Sequence, residues 1–157
     1  PSEVVEGRAT THPISEAHAM REPLAGRVLV AEDNEDIRAL VELQLGKLGV
    51  DVASVANGFS AVELALSERF DVVLMDMEMP VMNGYEAVNV LRTRSYAGPI
   101  LALTAHHEGL EVERALNVGC DGIVTKPVTL DSLRAALRPL LREGRNTRAL
   151  ANGRASR

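Results

Sequence analysis

The chain has 157 residues, 46% of them hydrophobic and 25% charged, with a formal net charge of −5 at pH 7. That length holds one domain with a real core plus flanking segments, in the composition ordinary for a soluble globular protein. The acidic balance argues against a nucleic-acid surface, and no apolar run approaches the roughly 20 residues that span a bilayer, so neither nucleic acid nor membrane is an expected partner. No signal-peptide pattern opens the chain, and the single cysteine, Cys120, cannot form an internal disulfide. Both fit a reducing, cytoplasmic compartment.

Residues 1–24 have no sustained periodicity and contain Pro1, Pro13 and Pro23. They read as a largely flexible linker with a short helix near Ser15 to Arg21. The start at Pro1, without Met, suggests a fragment of a longer protein or a processed terminus. From residue 25 the pattern changes. Val28 to Ala31 is a short buried strand, after which Asn34 can cap a helix that has Glu35 and Asp36 in its first turn. Ile37, Leu40, Val41, Leu43, Leu45 and Leu48 recur at helical spacing up to Gly49. Val50 to Ala56 alternates as a second strand, Asn57-Gly58 punctuates, and Ala61, Val62, Leu64, Ala65 and Leu66 line a second helix. Val72 to Met75 is an unbroken apolar strand that stops at Asp76. A loop with Pro80 and Gly84 follows, then a helix from about Tyr85 to Arg94.

Gly98-Pro99 precedes a fourth strand, Ile100 to Leu103, ending in Thr104-Ala105, and a helix over about Leu110 to Val118. Ile123 to Thr125 is a short strand ending at Lys126-Pro127. Thr129 caps a last helix carrying Leu130, Leu133, Leu137, Leu140 and Leu141, in which Pro139 predicts a bend or an early end. Beyond residue 142 the tail is rich in Arg, Asn and Ala without a core face, and reads as disordered. Strands alternating with helices imply a doubly wound α/β domain over residues 25–142, with a parallel sheet covered on both faces.

A parallel sheet brings its strand carboxyl ends to one edge, where open α/β sheets bind ligands. This sequence places Glu32-Asp33, Asp76, Thr104 and Lys126 there. Clustered carboxylates repel by ~1 kcal/mol per pair at 4 Å in water, and more at lower effective dielectric. One lysine neutralises only part of that charge, so a hard divalent cation with oxygen ligands is expected, Mg²⁺ being the natural choice. A metal, a Lys and a hydroxyl around one Asp are the parts needed to move a phosphoryl group. No Gly-rich phosphate loop is present, so nucleotide binding is not expected.

These strand ends, with Met75-Asp76-Met77-Glu78-Met79-Pro80-Val81-Met82-Asn83-Gly84, Leu103-Thr104-Ala105 and Lys126-Pro127, resemble the receiver domain of two-component response regulators. The resemblance implies a flavodoxin-like sheet of order 2-1-3-4-5 with five helices. It implies that Asp76 accepts phosphate from a histidine kinase or histidine phosphotransfer protein, with Mg²⁺ bound by Asp33, Asp76, the Glu78 carbonyl and, through water, Glu32. Thr104 would follow the phosphoryl group and Lys126 would pair with it. Ile123 stands where receivers carry the Tyr or Phe of their switch, which points to a smaller switch through Thr104. Glu78 and His106 occupy positions that tune dephosphorylation in the family.

The same resemblance implies a module that catalyses only its own phosphorylation and dephosphorylation, as a monomer or weak dimer. The start and the linker favour the C-terminal receiver of a hybrid sensor histidine kinase, and a stand-alone single-domain regulator is the alternative. A haloacid-dehalogenase-like phosphatase would share the Asp, Thr, Lys and Mg²⁺, but it places its nucleophile after the first strand and leaves Glu32-Asp33 unexplained. A receiver-like binding module that is never phosphorylated would not need the chemical residues. His18, with Arg21, Pro23 and Leu24, resembles the phospho-accepting box of sensor kinases. That box continues into a long helical hairpin, whereas here a strand begins at once, so His18 reads as a linker histidine. Cys120 and the loop methionines read as packing residues, and His106-His107 as surface.

Overall fold

The structure, a computed structural model, describes residues 22–141. The expected linker up to Arg21 with its short helix, His18, and the five arginines from Arg142 onward lie outside the described residues. The elements are β1 (Arg27–Ala31), α1 (Glu35–Leu48), β2 (Asp51–Val55), α2 (Gly58–Ser67), β3 (Val72–Asp76), α3 (Gly84–Thr93), β4 (Ile100–Thr104), α4 (Leu110–Val118), β5 (Gly122–Thr125) and α5 (Leu130–Leu141). The five strands are all parallel, in the expected order β2-β1-β3-β4-β5.

The apolar runs are continuous because the central strands are buried on both faces. Val28, Val30, Val72, Leu74, Leu101 and Leu103 face Val41, Leu45, Leu48, Leu133, Leu137 and Leu141 of α1 and α5. Their neighbours in sequence, Leu29, Ala31, Val73, Met75, Ile100 and Ala102, face Ala61, Val62, Ala65, Ala87, Val88, Leu91 and Ala115 of α2, α3 and α4. Successive residues thus supply the two cores alternately, as the strand period requires. β2 was expected to alternate, yet Val52 to Val55 are all half-buried and Asp51 is exposed, because β2 is an edge strand.

Side-chain caps fix where most helices leave the site edge. Asn34, Asn57 and Asn83 accept from the N–H groups of Ile37, Ser60 and Glu86 at 2.9, 2.8 and 2.9 Å, and Thr129 accepts from Ser132 at 3.0 Å. Glu86 closes a capping box by accepting from the Asn83 N–H at 2.9 Å. A Cβ on Gly84 would collide with the Asp76 carbonyl, so α3 starts hard against the end of β3. At the far end of α3, Arg92 donates to the carbonyls of Tyr96, Gly98 and Gly119 at 2.6 to 3.0 Å and pairs with Asp121 at 3.0 Å.

Two expectations are corrected. The leucines assigned to helix core faces are too many for one stripe: Leu40, Leu43, Leu66 and Leu140 are 45%, 58%, 39% and 38% exposed. A helix against a sheet buries only the side facing it. Pro139 does not end α5 early; it sits in the last turn, where the helix forgoes one N–H bond while buried Leu137 and Leu141 hold that turn on the sheet.

Candidate functional site

The parallel register assembles the site. Ala31 pairs with Met75 and Asp76 with Leu103, so Glu32 and Thr104 emerge beside the end of β3; Thr104 pairs with Thr125, and Lys126 follows. The Thr104 carbonyl accepts the Lys126 N–H at 2.8 Å, holding the last two strand ends together. Glu32, Asp76 and Thr104 are the buried polar residues among those described, at 1%, 2% and 7% exposure, while Asp33 is exposed at the rim.

Lys126 Nζ lies 3.1 Å from Asp76 Oδ1 and 3.0 Å from Glu32 Oε1, bridging the two buried carboxylates. The Glu78 N–H donates to the same Asp76 oxygen at 3.1 Å, and the Asn34 N–H to Glu32 Oε2 at 3.1 Å. Thr104 Oγ1 accepts the N–H of His106 at 3.1 Å. Burial pushes the Asp76 carboxyl up to about 7; the Glu78 N–H opposes this, Glu32 reinforces it, and Lys126 opposes it. Burial pulls the Lys126 ammonium down, but Glu32 and Asp76 more than offset it, leaving it above its ordinary value.

Glu32, Asp33 and Asp76 each offer a carboxylate oxygen, all within 4.8 Å of one another. Glu32 Oε1 is buried with no aligned hydrogen bond, although the Lys126 charge is close. Three clustered hard oxygens, one of them incompletely satisfied, fit a small divalent cation. The cluster has one half-buried lysine against three acids, so a further positive charge there is electrostatically favoured.

The structure therefore gathers Asp76, Glu32, Asp33, Lys126 and Thr104 at one sheet edge, with Glu78 bonded through its backbone to Asp76. Ile123 is placed differently: it pairs with Ala102 within the sheet and lies half-buried against the core under α2 to α4. Backbone donors are what sequence reasoning missed, namely the N–H groups of Asn34, Glu78 and His106. The Arg38 guanidinium, which donates to the Glu32 carbonyl at 2.9 Å, was missed too. Only the polar run Glu32 to Asp36 hinted at such a ring of contacts. Cys120 is buried, its thiol pushed up to about 12 by burial, and His106 and His107 are exposed, as expected.

A family model for the response regulator receiver domain matches residues 28–138. The autoinducer 1 sensor kinase/phosphatase LuxN of Vibrio harveyi is 40% identical over 110 residues, which cover 70% of this chain but 13% of LuxN. Among solved structures, the receiver domain of sensor histidine kinase PA1611 from Pseudomonas aeruginosa, with magnesium in its active-site cleft, superposes with a TM-score of 0.69. It is 33% identical, over 74% of this chain and 97% of that one. The receiver domain of Saccharomyces cerevisiae Ssk1, crystallised with the phosphotransfer protein Ypd1, belongs to a complex that matches at a TM-score of 0.71 and 27% identity, over 77% and 92% of the two chains. The chain thus spans a small part of the sensor kinase it matches.

Proposed function

This chain belongs to the response regulator receiver family, and from that premise we propose that Asp76 takes a phosphoryl group from a phosphohistidine on a cytoplasmic histidine kinase or phosphotransfer protein. The observation that carries the proposal is the contact of Lys126 Nζ with both Asp76 and Glu32, beside a third carboxylate on Asp33. An Asp76 oxygen attacks phosphorus, the P–O bond forms, the P–N bond breaks, and the imidazole nitrogen keeps the electron pair.

Attack requires the ionised carboxylate, which burial disfavours and which the Glu78 N–H and then Lys126 favour in part. Mg²⁺ held by Asp33, Asp76 and the Glu78 carbonyl, with Glu32 acting through water, would offset charge on the phosphoryl oxygens. Lys126 is placed to pair with the phosphoryl group once Asp76 carries it, and the Glu78 N–H remains a donor at the same carboxyl. Turning the Thr104 hydroxyl towards the new group would give up its bond from the His106 N–H and free the loop over residues 105–109. That switch needs no aromatic at Ile123. The chain acts on its own carboxylate and is not a separate catalyst. The parent we propose is a hybrid sensor histidine kinase; LuxN, itself a sensor kinase, is one of the relatives that support this.

The test is the amide spectrum with Mg²⁺ and beryllofluoride, a phosphoryl mimic. Shifts at Asp76, Thr104 and His106 are expected in the wild type and none in Asp76→Asn. A wild-type spectrum that does not move overturns the proposal.

A further inference from the structure

The four aromatic residues of the chain do not share one fate. Phe70 is buried beneath the Arg27 guanidinium at 4.5 Å, Tyr85 beneath Arg114 at 3.9 Å, and half-buried Tyr96 lies 5.9 Å from Arg92. Phe59 alone is 54% exposed, and among the described residues no cation lies over its ring. It stands at the start of α2, on the lip of an apolar groove of about 660 Å³ between α2 and α3, with Val62, Leu66, Met82 and Val90 as walls. Leu66, two turns below Phe59, is also exposed. On the rim are two exposed opposite charges, Glu63 of α2 and Arg94 just past the end of α3. Among the described residues neither forms an ion pair.

We propose that this groove is a self-association surface, occupied by the same groove of a second copy about a two-fold axis. α2 and α3 follow parallel strands on one face of the sheet and run in the same direction, so Phe59 and Arg94 lie at opposite ends of the groove. A two-fold axis across it sets the two grooves antiparallel and brings each Phe59 to the partner copy's Arg94 end. Phe59 and Glu63 are one helical turn apart on the same face, so a single guanidinium can sit over the ring and pair with the carboxylate. Both contacts occur twice, as an isologous interface requires. The fourth ring then gains from the second copy what the other three have within the chain.

A foreign helix could also bury the apolar walls, but only a second copy must present Arg94 wherever this one presents Phe59 and Glu63. The patch is small, at the low end of specific interfaces, so the association is weak and concentration-dependent. Met82, one wall, also accepts the Gly58 N–H through its carbonyl at 3.2 Å and sits in the loop that follows Asp76.

Sedimentation of the full chain over a wide concentration range tests this. Wild type should pass from monomer to dimer, and Phe59→Ser should remain monomeric at the same concentrations. Arg94→Glu opposes two carboxylates at each contact and Glu63→Arg two guanidinium groups, so each alone should weaken association about tenfold, equivalent to about 1.4 kcal/mol. An equimolar mixture of Arg94→Glu and Glu63→Arg should associate more tightly than either variant alone, because the mixed pair restores opposite charges at both contacts. All three side chains are exposed, so unchanged melting temperatures are expected to accompany these effects. A wild type that stays monomeric, a Phe59→Ser that still associates, or a mixture no tighter than its components overturns the proposal.

Discussion

Asp76 and Lys126 are a buried acid and a half-buried base whose protonation states oppose each other. The Asp76 carboxyl, raised from 3.8 to about 7, binds its proton more tightly in the folded chain than in the unfolded one. Its stabilising contribution is therefore complete below about pH 3.8 and is lost as pH rises towards about 7. Asp76→Asn, which carries no charge at any pH, should gain stability relative to wild type across that window, with the gap opening between pH 4 and 7 in denaturant titrations. Lys126 has the same sense in a different window: raised above 10.5, it contributes stability fully present below that value and lost only in strong alkali. Lys126→Ala should cost about 1–3 kcal/mol at pH 8, where two buried carboxylates lose their shared cation, and less at pH 5, where Asp76 takes up a proton instead. Equal losses at the two pH values would count against this electrostatic account.

At the level of the helix, apolar spacing and burial part company on α1. Val41, Leu45 and Leu48 are buried against the sheet, whereas Leu40 and Leu43 face outward. Leu45→Ala should cost about 2–5 kcal/mol, because the site is closed by neighbours on both sides. Leu43→Ala should stay within about 0.5 kcal/mol of wild type, as exposed substitutions do. Paired denaturant titrations of the two variants distinguish a one-sided helix from one buried all round. α4 is the weakest-anchored helix in the same sense: it buries only Ala115 and begins at Gly109 without a side-chain cap. The loop that Thr104 touches through His106 leads directly into it, so a change at Thr104 would reach α4 before the other helices.

For the whole molecule, site and stability are linked through the sheet edge. A cation that binds only the folded carboxylate cluster stabilises the fold by mass action, about 2.7 kcal/mol at a hundredfold excess over its dissociation constant. Protons compete for Asp76, so Mg²⁺ should raise the melting temperature more at pH 8 than at pH 6. In Asp76→Asn that pH dependence should flatten. A wild-type increment independent of pH would mean that the cation binds elsewhere.

The linear sequence determined the order and type of the elements, because unbroken apolar runs, Asn and Thr caps and Gly or Pro breaks are local signals. It also determined the chemistry of the edge: Glu32-Asp33, Asp76, Thr104 and Lys126 each follow a run that can only be a strand, and parallel strands end together. Tertiary structure alone decided which leucines reach the core, since Leu40 and Leu45 have the same local pattern and differ only in whether a sheet lies beneath them. It alone decided that Glu78 and Asn34 meet the carboxylates through backbone N–H groups, which every residue but proline carries and which therefore leave no mark in the sequence. The exposure of Phe59 was likewise invisible there, because an aromatic at the start of a helix is buried or bare according to what packs across from it.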